Sequence, residues 1–137
     1  MKTRYLLDTS ALGVHLLNGR SCGFVADCLR RGAAVCVLSR FELAMLLSWQ
    51  RVVLADAERY WRVYRNLVQC VCPVDEAVVE SALTLRRQAG ARLPMADACI
   101  AACARVQGMS LVHADEHFKA IDNHLETIDL RDQDLAG

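Results

Sequence analysis

Residues 94–115 read PMADACIAACARVQGMSLVHAD, and this stretch decides the fold class. Pro94 and Gly108 are typical of the two ends of a helix, and the run Ser110–His113 is typical of a short buried strand. An acid, Asp115, stands two residues after that strand. A helix that leads into a strand, with a carboxylate just beyond it, predicts one unit of an α/β fold.

The same alternation runs through the rest of the chain. Further strands are predicted over residues 5–7, 34–38, 70–74 and 126–130, and helices over 11–17, 21–31, 39–52, 56–69, 75–89 and 116–121. Pro73 favours an edge position or a strand end for the third strand. Because strands separated by helices pair in parallel, we predict a three-layer α/β/α sandwich with a central, mainly parallel five-stranded sheet. The length, without repeats or linkers, favours a single domain over residues 1–137.

Charge and composition argue against a fold that depends on disulfides and against a strongly basic nucleic-acid-binding module. The hydrophobic fraction of 54% supports a buried core without disulfides, and a net charge of zero argues against nucleic-acid binding by bulk electrostatics alone. All 16 basic residues except Lys2 and Lys119 are arginine, which suits phosphates or partner carboxylates, although codon bias explains the preference equally well.

Seven cysteines without any C-x-x-C spacing are expected to be small buried side chains in a reducing cytosol and not zinc ligands. No signal peptide is visible and no apolar run approaches a membrane span, so we expect a soluble, cytoplasmic protein.

Four acids stand at corresponding places in the predicted sheet. Asp8 directly follows the first strand, Glu42 and Asp97 lie in first turns of helices, and Asp115 follows the fourth strand. Each acid has a local explanation as a helix cap or dipole partner, and Ser39 with Glu42 matches a capping box. Together, however, they meet at the carboxyl edge of the strands, where they repel one another unless a cation is present. Oxygen ligands of this kind predict a site for Mg²⁺ or Mn²⁺.

Four segments resemble, in this order, the signature segments of PIN domains, and in particular the VapC toxins of VapBC toxin–antitoxin modules. They are YLLDTSAL at 5–12, the pair Ser39…Glu42, MADACIAACARVQG at 95–108 and SLVHADEHFKAI at 110–121. The resemblance extends from Tyr5 to Leu130. It implies an endoribonuclease that hydrolyses RNA phosphodiester bonds by metal-activated water and is inhibited by a cognate antitoxin protein.

The resemblance also assigns residues. Asp8, Glu42, Asp97 and Asp115 match the acidic quartet that binds the metal in that family. Ser10 matches a hydroxyl beside the first acid, where it is expected to hold a metal-bound water and contact the substrate. His113 and His117 stand where many relatives have a hydroxyl and an acid, which puts in doubt the details around the acids more than the activity.

Basic and apolar residues predict the binding surfaces. Arg40 and Arg92 are candidates for substrate contacts, because an acidic cleft needs cations nearby to hold RNA. A partner helix with its own Arg or Lys is expected to compete with the metal for the acids. The helix Leu43–Trp49, with Trp61 and Tyr64, predicts a homodimer through exposed apolar surface, unless these residues belong to the core.

Three other functions remain open at this point. A haloacid-dehalogenase-like phosphatase also has an Asp after its first strand, but it uses D-x-D where this chain reads Asp8-Thr9-Ser10. Metal-free cleavage by His113 and His117 as general acid and base predicts a cyclic phosphate product. A catalytically silent PIN-like scaffold that binds a protein or RNA partner is favoured when an acid is missing, and none is missing here.

Overall fold

Five parallel strands form the centre of the molecule. The computed structural model describes residues 3–132. The sheet has the order β3-β2-β1-β4-β5, with every pairing parallel. Its strands are β1 (Tyr5–Leu7), β2 (Ala33–Cys36), β3 (Cys70–Cys72), β4 (Ser110–His113) and β5 (Thr127–Asp129). The predicted fold class is confirmed, as is the edge position of the strand that precedes Pro73.

Helices cover both faces of this sheet. They are α1 (Thr9–Leu16), α2 (Cys22–Arg31), α3 (Leu38–Trp49), α4 (Leu54–Leu67), α5 (Glu76–Ala89) and α6 (Met95–Gln107), with 3₁₀ turns at Gly90–Arg92 and Glu116–Ile121. Within residues 3–132, no helix has the length and hydropathy needed to cross a bilayer.

Alternate residues of each strand point into two separate cores. Leu6 and Leu111 pack with α5 and α6 on one face, whereas Leu7, Val35 and Val112 pack with α1 to α4 on the other. This is the two-residue period of a strand buried on both sides, and it explains why the strands read as continuous apolar runs.

The second strand and the third helix begin and end earlier than predicted. β2 ends at Cys36 and α3 begins at Leu38, so Ser39 lies inside the helix and makes no cap. The predicted capping box of Ser39 and Glu42 is therefore wrong. Glu42 instead accepts a hydrogen bond from Thr9, the first residue of α1.

The prediction that Trp61 and Tyr64 form an exposed dimer surface is also wrong. Both side chains are buried, as are Leu43 and Leu47 of α3, because they fill the core between α3, α4 and the sheet. The apolar side chains that α3 does expose are different ones, with Trp49 74% exposed.

The chain reverses direction across the sheet at β1. It passes from β1 to β2 and β3 on one side, and then returns to β4 on the other side of β1. Crevices at such reversal points, beyond the carboxyl ends of the strands, are the usual ligand sites of parallel sheets.

Candidate functional site

A cavity of about 540 Å³ opens at the carboxyl ends of β1 and β4. All four predicted acids, Asp8, Glu42, Asp97 and Asp115, line it. Its remaining walls come from the start of α1 and from apolar side chains of α3 and α6, namely Thr9, Ser10, Leu38, Phe41, Met45, Leu46, Trp49, Met95 and Ala96. The structure thus brings the four predicted acids together, although α3 begins at Leu38, so that Glu42 lies one turn into this helix and not in its first turn as predicted.

Asp8 is fixed by hydrogen bonds on one side of its carboxylate only. It caps α1, and its Oδ2 accepts hydrogen bonds from the backbone N–H of Ser10 at 3.0 Å and from the Ser10 hydroxyl at 2.5 Å. The other oxygen, Oδ1, is buried and has no hydrogen-bond partner among the described residues. A buried acceptor of this kind costs free energy unless a cation or donor reaches it.

Ser10 connects the two sides of the cavity. While its hydroxyl donates to Asp8, its Oγ accepts the backbone N–H of Ala114 at 2.9 Å. Ala114 directly precedes Asp115, so this bond links the start of α1 to the backbone beside Asp115.

Thr9 orients Glu42. The Thr9 hydroxyl donates to Glu42 Oε1 at 2.7 Å and also lies 2.9 Å from the Ser39 hydroxyl. Thr9 and Ser39 are both buried. Because a carboxylate only accepts, the single Thr9 proton goes to Glu42, which holds that side chain over the cavity.

His117 bridges the two remaining acids. Its Nδ1 lies 3.2 Å from Asp97 Oδ2 and 3.0 Å from Asp115 Oδ1. One ligand atom from each of the three residues can be chosen so that all lie within 4.8 Å of one another. Its position opposite two acids shows where the site accepts positive charge.

Burial and mutual repulsion perturb the acids strongly. Burial, the largest cause, and the charges of Asp8, Asp115 and Glu42 together raise the pKa of Asp97 from 3.8 to about 7, against the opposing effect of His117. Burial likewise raises the pKa of Asp8 to about 6, against the hydrogen bonds from Ser10. Burial is the largest single influence on the pKa of His117 and lowers it, but the charges of Asp115 and Asp97 and the hydrogen bonds to them together raise the pKa overall.

These residues fit a hard divalent cation. The donors are carboxylate oxygens with a single imidazole nitrogen, one buried carboxylate oxygen has no hydrogen-bond partner within residues 3–132, and two carboxylates resist ionisation. A divalent ion would supply the missing partner and the missing charge together, and oxygen-rich ligand sets of this kind favour Mg²⁺ or Mn²⁺.

A comparison of the sequence with known protein families identifies the family of this chain. Residues 5–124 match the PIN-domain family, a span that holds all four acids. The chain belongs to the PIN-domain family.

Solved structures share this PIN fold at low sequence identity. One chain of VapBC2 from Rickettsia felis, bound to a DNA fragment from its promoter, superposes with a TM-score of 0.73 at 16% identity, over 93% of this chain and 98% of that one. A chain of VapBC-1 from nontypeable Haemophilus influenzae gives 0.72 at 17% identity, over 95% and 100%. A chain of VapBC-5 from Mycobacterium tuberculosis gives 0.69 at 20% identity, over 93% and 98%. No curated protein matches the sequence.

Arg40 does not take part in the acid cavity of this PIN domain. Its guanidinium lies 3.0 Å from Glu58 of α4, and it lines a separate groove between α3 and α4. Arg40 and Glu42 are two residues apart on a helix, which separates their directions by about 200°. The prediction that Arg40 walls the cavity is therefore wrong.

Arg92 lies on the opposite side, next to the acids. It lines a surface hollow of about 650 Å³ together with His117 and Lys119, alongside Pro94, Glu116 and Ala120. Because His117 contacts Asp97 and Asp115, this basic hollow borders the acid cavity directly. Lys119 was not among the predicted residues.

His113 and His117 have different environments and do not form a matched pair. His113 is buried, its ring packs on Phe118 with centroids 4.8 Å apart, and its Nδ1 accepts the backbone N–H of Asp115. Burial lowers its pKa, so this ring is a neutral core residue beneath the site.

Sequence reasoning also missed Thr9 and a fifth acid at this edge. Asp129 ends β5 beside His113, but Arg131 holds it in a two-point ion pair that lowers its pKa to about 2. The charge of Asp129 is therefore neutralised by Arg131, and Asp129 does not line the acid cavity. The arginine two residues later was the signal that separates it from the other acids.

Proposed function

We propose that this protein is a Mg²⁺-dependent or Mn²⁺-dependent endoribonuclease and the toxin of a toxin–antitoxin module. The buried, unpartnered Oδ1 of Asp8 among four carboxylates carries the proposal. Membership of the PIN-domain family and the VapBC complexes among its structural neighbours support it. Seven free thiols agree with action in a reducing cytosol.

The four acids hold the ion in this proposal. Asp8 and Asp97 are the best placed to ligate it, because burial and mutual charge make ionisation of these two groups most dependent on a cation. Asp115 and Glu42 complete the donor set or orient a water. A divalent ion bound there supplies Lewis-acid chemistry, since it neutralises phosphodiester charge and lowers the pKa of water.

The surrounding residues position those acids. The hydrogen bonds from Ser10 hold Oδ2 of Asp8 and leave its Oδ1 available to the ion. The hydrogen bond from Thr9 holds Glu42 over the cavity. His117 screens Asp97 from Asp115 while no substrate is present. Each of these contacts reduces the reorganisation required when an anionic phosphodiester enters.

RNA is held by positive charge beside the acids. Arg92, His117 and Lys119 form a basic hollow within reach of the cavity, and such side chains neutralise successive backbone phosphates. Phe41 and Trp49 are 70% and 74% exposed at the cavity wall, where their rings are available to unpaired bases. We therefore favour single-stranded RNA as the substrate.

The antitoxin uses the apolar wall of the same cavity. Phe41, Met45, Trp49 and Met95 are all exposed there, and they offer a surface for the apolar face of a helix. A cationic side chain from that helix would satisfy the acids as an ion does, so antitoxin and metal compete.

The homodimer stays a prediction, with the exposed Val53 and Leu54 of the α3–α4 hairpin replacing Trp61 and Tyr64 as its apolar surface.

The test is RNA cleavage by the purified protein with Mg²⁺ or Mn²⁺ and with EDTA. Cleavage should require the ion, and Asp8→Asn or Asp97→Asn should abolish it. Asp122→Asn, at an exposed carboxylate outside the cavity, is the matched control and should retain activity. Full cleavage in EDTA refutes the metal dependence.

The products separate the competing mechanisms. Hydrolysis by water leaves a 5′-phosphate and a 3′-hydroxyl, whereas general acid–base catalysis by His113 and His117 attacks through the 2′-hydroxyl and leaves a cyclic phosphate. The burial of His113 favours the first outcome. A silent scaffold predicts RNA or partner binding without any cleavage, although all four acids are in place.

A further inference from the structure

Five of the seven cysteines gather on one side of the sheet, where β2 and β3 contact α6. Cys36, Cys72 and Cys103 belong to one buried cluster, Cys99 packs against it, and the Sγ of Cys70 lies 4.0 Å from that of Cys72. All are free thiols. None of these five thiols contacts the acids or makes the hydrogen bonds from Thr9, Ser10 and His117 that orient them.

Cys36 and Cys103 form the closest pair. The Cys103 thiol donates to Cys36 Sγ at a sulfur–sulfur distance of 3.6 Å, and both side chains are fully buried. This bond lowers the pKa of Cys36 and raises that of Cys103. Cys36 is thus the nucleophile of the pair, and Cys103 is placed to react with it.

A path of thiols leads from the surface to this pair. Cys70 is exposed at the start of the edge strand β3, and Cys72 at the end of β3 is buried. Cys72 is the register partner of Cys36 on the neighbouring strand. Neighbours along the path therefore share a strand, a register pair or a direct sulfur contact.

We propose that Cys36 and Cys103 are a redox site that closes to a disulfide when a peroxide-class oxidant reacts at Cys70. Hydrogen peroxide, the simplest such oxidant, converts the Cys70 thiol to a sulfenic acid and releases one water. Cys72 condenses with that sulfenic acid, which forms a Cys70–Cys72 disulfide and releases a second water.

Two exchange steps carry the disulfide inward. Cys36 attacks the sulfur of Cys72 and displaces Cys70 as a thiol, and Cys103 then attacks the sulfur of Cys36 and displaces Cys72. In total, two thiols lose two electrons and two protons, and one peroxide becomes two waters.

Closure alters the acid cavity. A disulfide has a sulfur–sulfur distance of about 2.0 Å, so the pair must approach by more than an ångström from 3.6 Å. Cys103 lies on α6, which carries Asp97, and Cys36 ends β2, which leads into the helix that carries Glu42. On the proposed ribonuclease function, this displacement lowers cleavage by about tenfold or more, and dithiothreitol restores it.

Trypsin separates the thiols in a convenient way. Peptide 32–40 contains Cys36 alone, peptide 93–105 contains Cys99 and Cys103, and peptide 66–86 contains Cys70 and Cys72. After peroxide treatment of the whole protein, we expect peptide 32–40 linked to peptide 93–105. The number of free thiols should fall from seven to five and recover with dithiothreitol.

Variants and fragment ions identify the sulfurs. The link should persist in Cys99→Ala and disappear in Cys103→Ala, and it should form more slowly in Cys70→Ser. Fragment ions of the wild-type linked peptides distinguish Cys99 from Cys103 even if a core variant fails to fold. Oxidation that stops at Cys70, or a link through Cys99, overturns the redox pair, and an unchanged rate in Cys70→Ser overturns the route.

The peptide map is independent of nuclease activity. If reduced protein cleaves RNA but no link forms, the redox site is wrong and the ribonuclease function stands. If the link forms but reduced protein does not cleave RNA, the reverse holds.

Discussion

Replacement of Asp97 by Asn should stabilise the metal-free protein. The carboxylate of Asp97 has a pKa raised from 3.8 to about 7, first by burial and then by Asp8, Asp115 and Glu42. Between those pH values the folded state holds a proton that the unfolded state has released. The stability that belongs to the protonated form is therefore complete below about pH 4 and is lost as the pH rises through 7.

The size of the effect follows from the pKa difference. Relative to a neutral side chain, the ionisable one costs about 1.5 kcal/mol of unfolding free energy at pH 5 and about 4 kcal/mol at pH 8. The gain from Asp97→Asn in EDTA should therefore grow by about 2–3 kcal/mol over that range. Saturating Mg²⁺ should reverse the order of stability, because the wild type then binds the ion and the variant loses a ligand.

Urea denaturation of the wild type and of Asp97→Asn at pH 5 and pH 8, each with EDTA and with Mg²⁺, measures the unfolding free energy under these four conditions. Asp122→Asn, at an exposed carboxylate outside the cavity, should change the stability by less than about 0.5 kcal/mol under each condition. A variant that is less stable than the wild type in EDTA at pH 8, or a gain that does not change with pH, would refute the view that the acids are held in mutual repulsion.

Four further results are expected. Thr9→Val should lower the unfolding free energy by about 1–2 kcal/mol and slow RNA cleavage, with partial rescue by Thr9→Ser, because Glu42 loses the hydrogen bond from the Thr9 hydroxyl; unchanged rates would show that Glu42 needs no positioning. Arg92→Ala and Lys119→Ala should each weaken RNA binding and reduce the salt slope by about one, whereas Arg40→Ala should not, as titrations at several salt concentrations would reveal. Below pH 6 the apparent Mg²⁺ affinity should fall about tenfold per pH unit for each proton displaced, since protons then occupy Asp97 and Asp8; a calorimetric affinity independent of pH would contradict this. Trp49→Ala should weaken the complex with the proposed antitoxin, measured by calorimetry, and equal affinity would move the docking surface elsewhere.

The sequence predicts those parts of the site that depend on position along the chain. Asp8, Asp97 and Asp115 follow strands or begin a helix, and the edge they share follows from parallel pairing alone. Glu42 was correctly predicted to lie at this edge. Its predicted local partner was Ser39, from a capping-box signal of only four residues, and that prediction was wrong. β2 in fact ends two residues earlier than predicted, and Glu42 is bound by Thr9 of the neighbouring helix α1.

The remaining errors come from tertiary contacts that no local pattern contains. Trp61 and Tyr64 read as excess apolar surface, yet their three-residue spacing places them on one buried face of α4. Arg40 was assigned to the cavity because it is close to Glu42 in sequence, although helical geometry turns the two side chains apart and Glu58 captures the guanidinium.

The central position of β1 has a consequence for synthesis. β1 pairs with β2 early in the chain, but its other neighbour is β4, so that Tyr5 waits for Ser110 and Asp8 waits for the backbone around Val112. Contacts between such distant segments form late, because a long loop must close first. A nascent chain that ends before β4 has neither Asp115 nor the bond that fixes Ser10 to Ala114. On the proposed ribonuclease function, the chain therefore has no complete site for RNA cleavage until synthesis has passed β4.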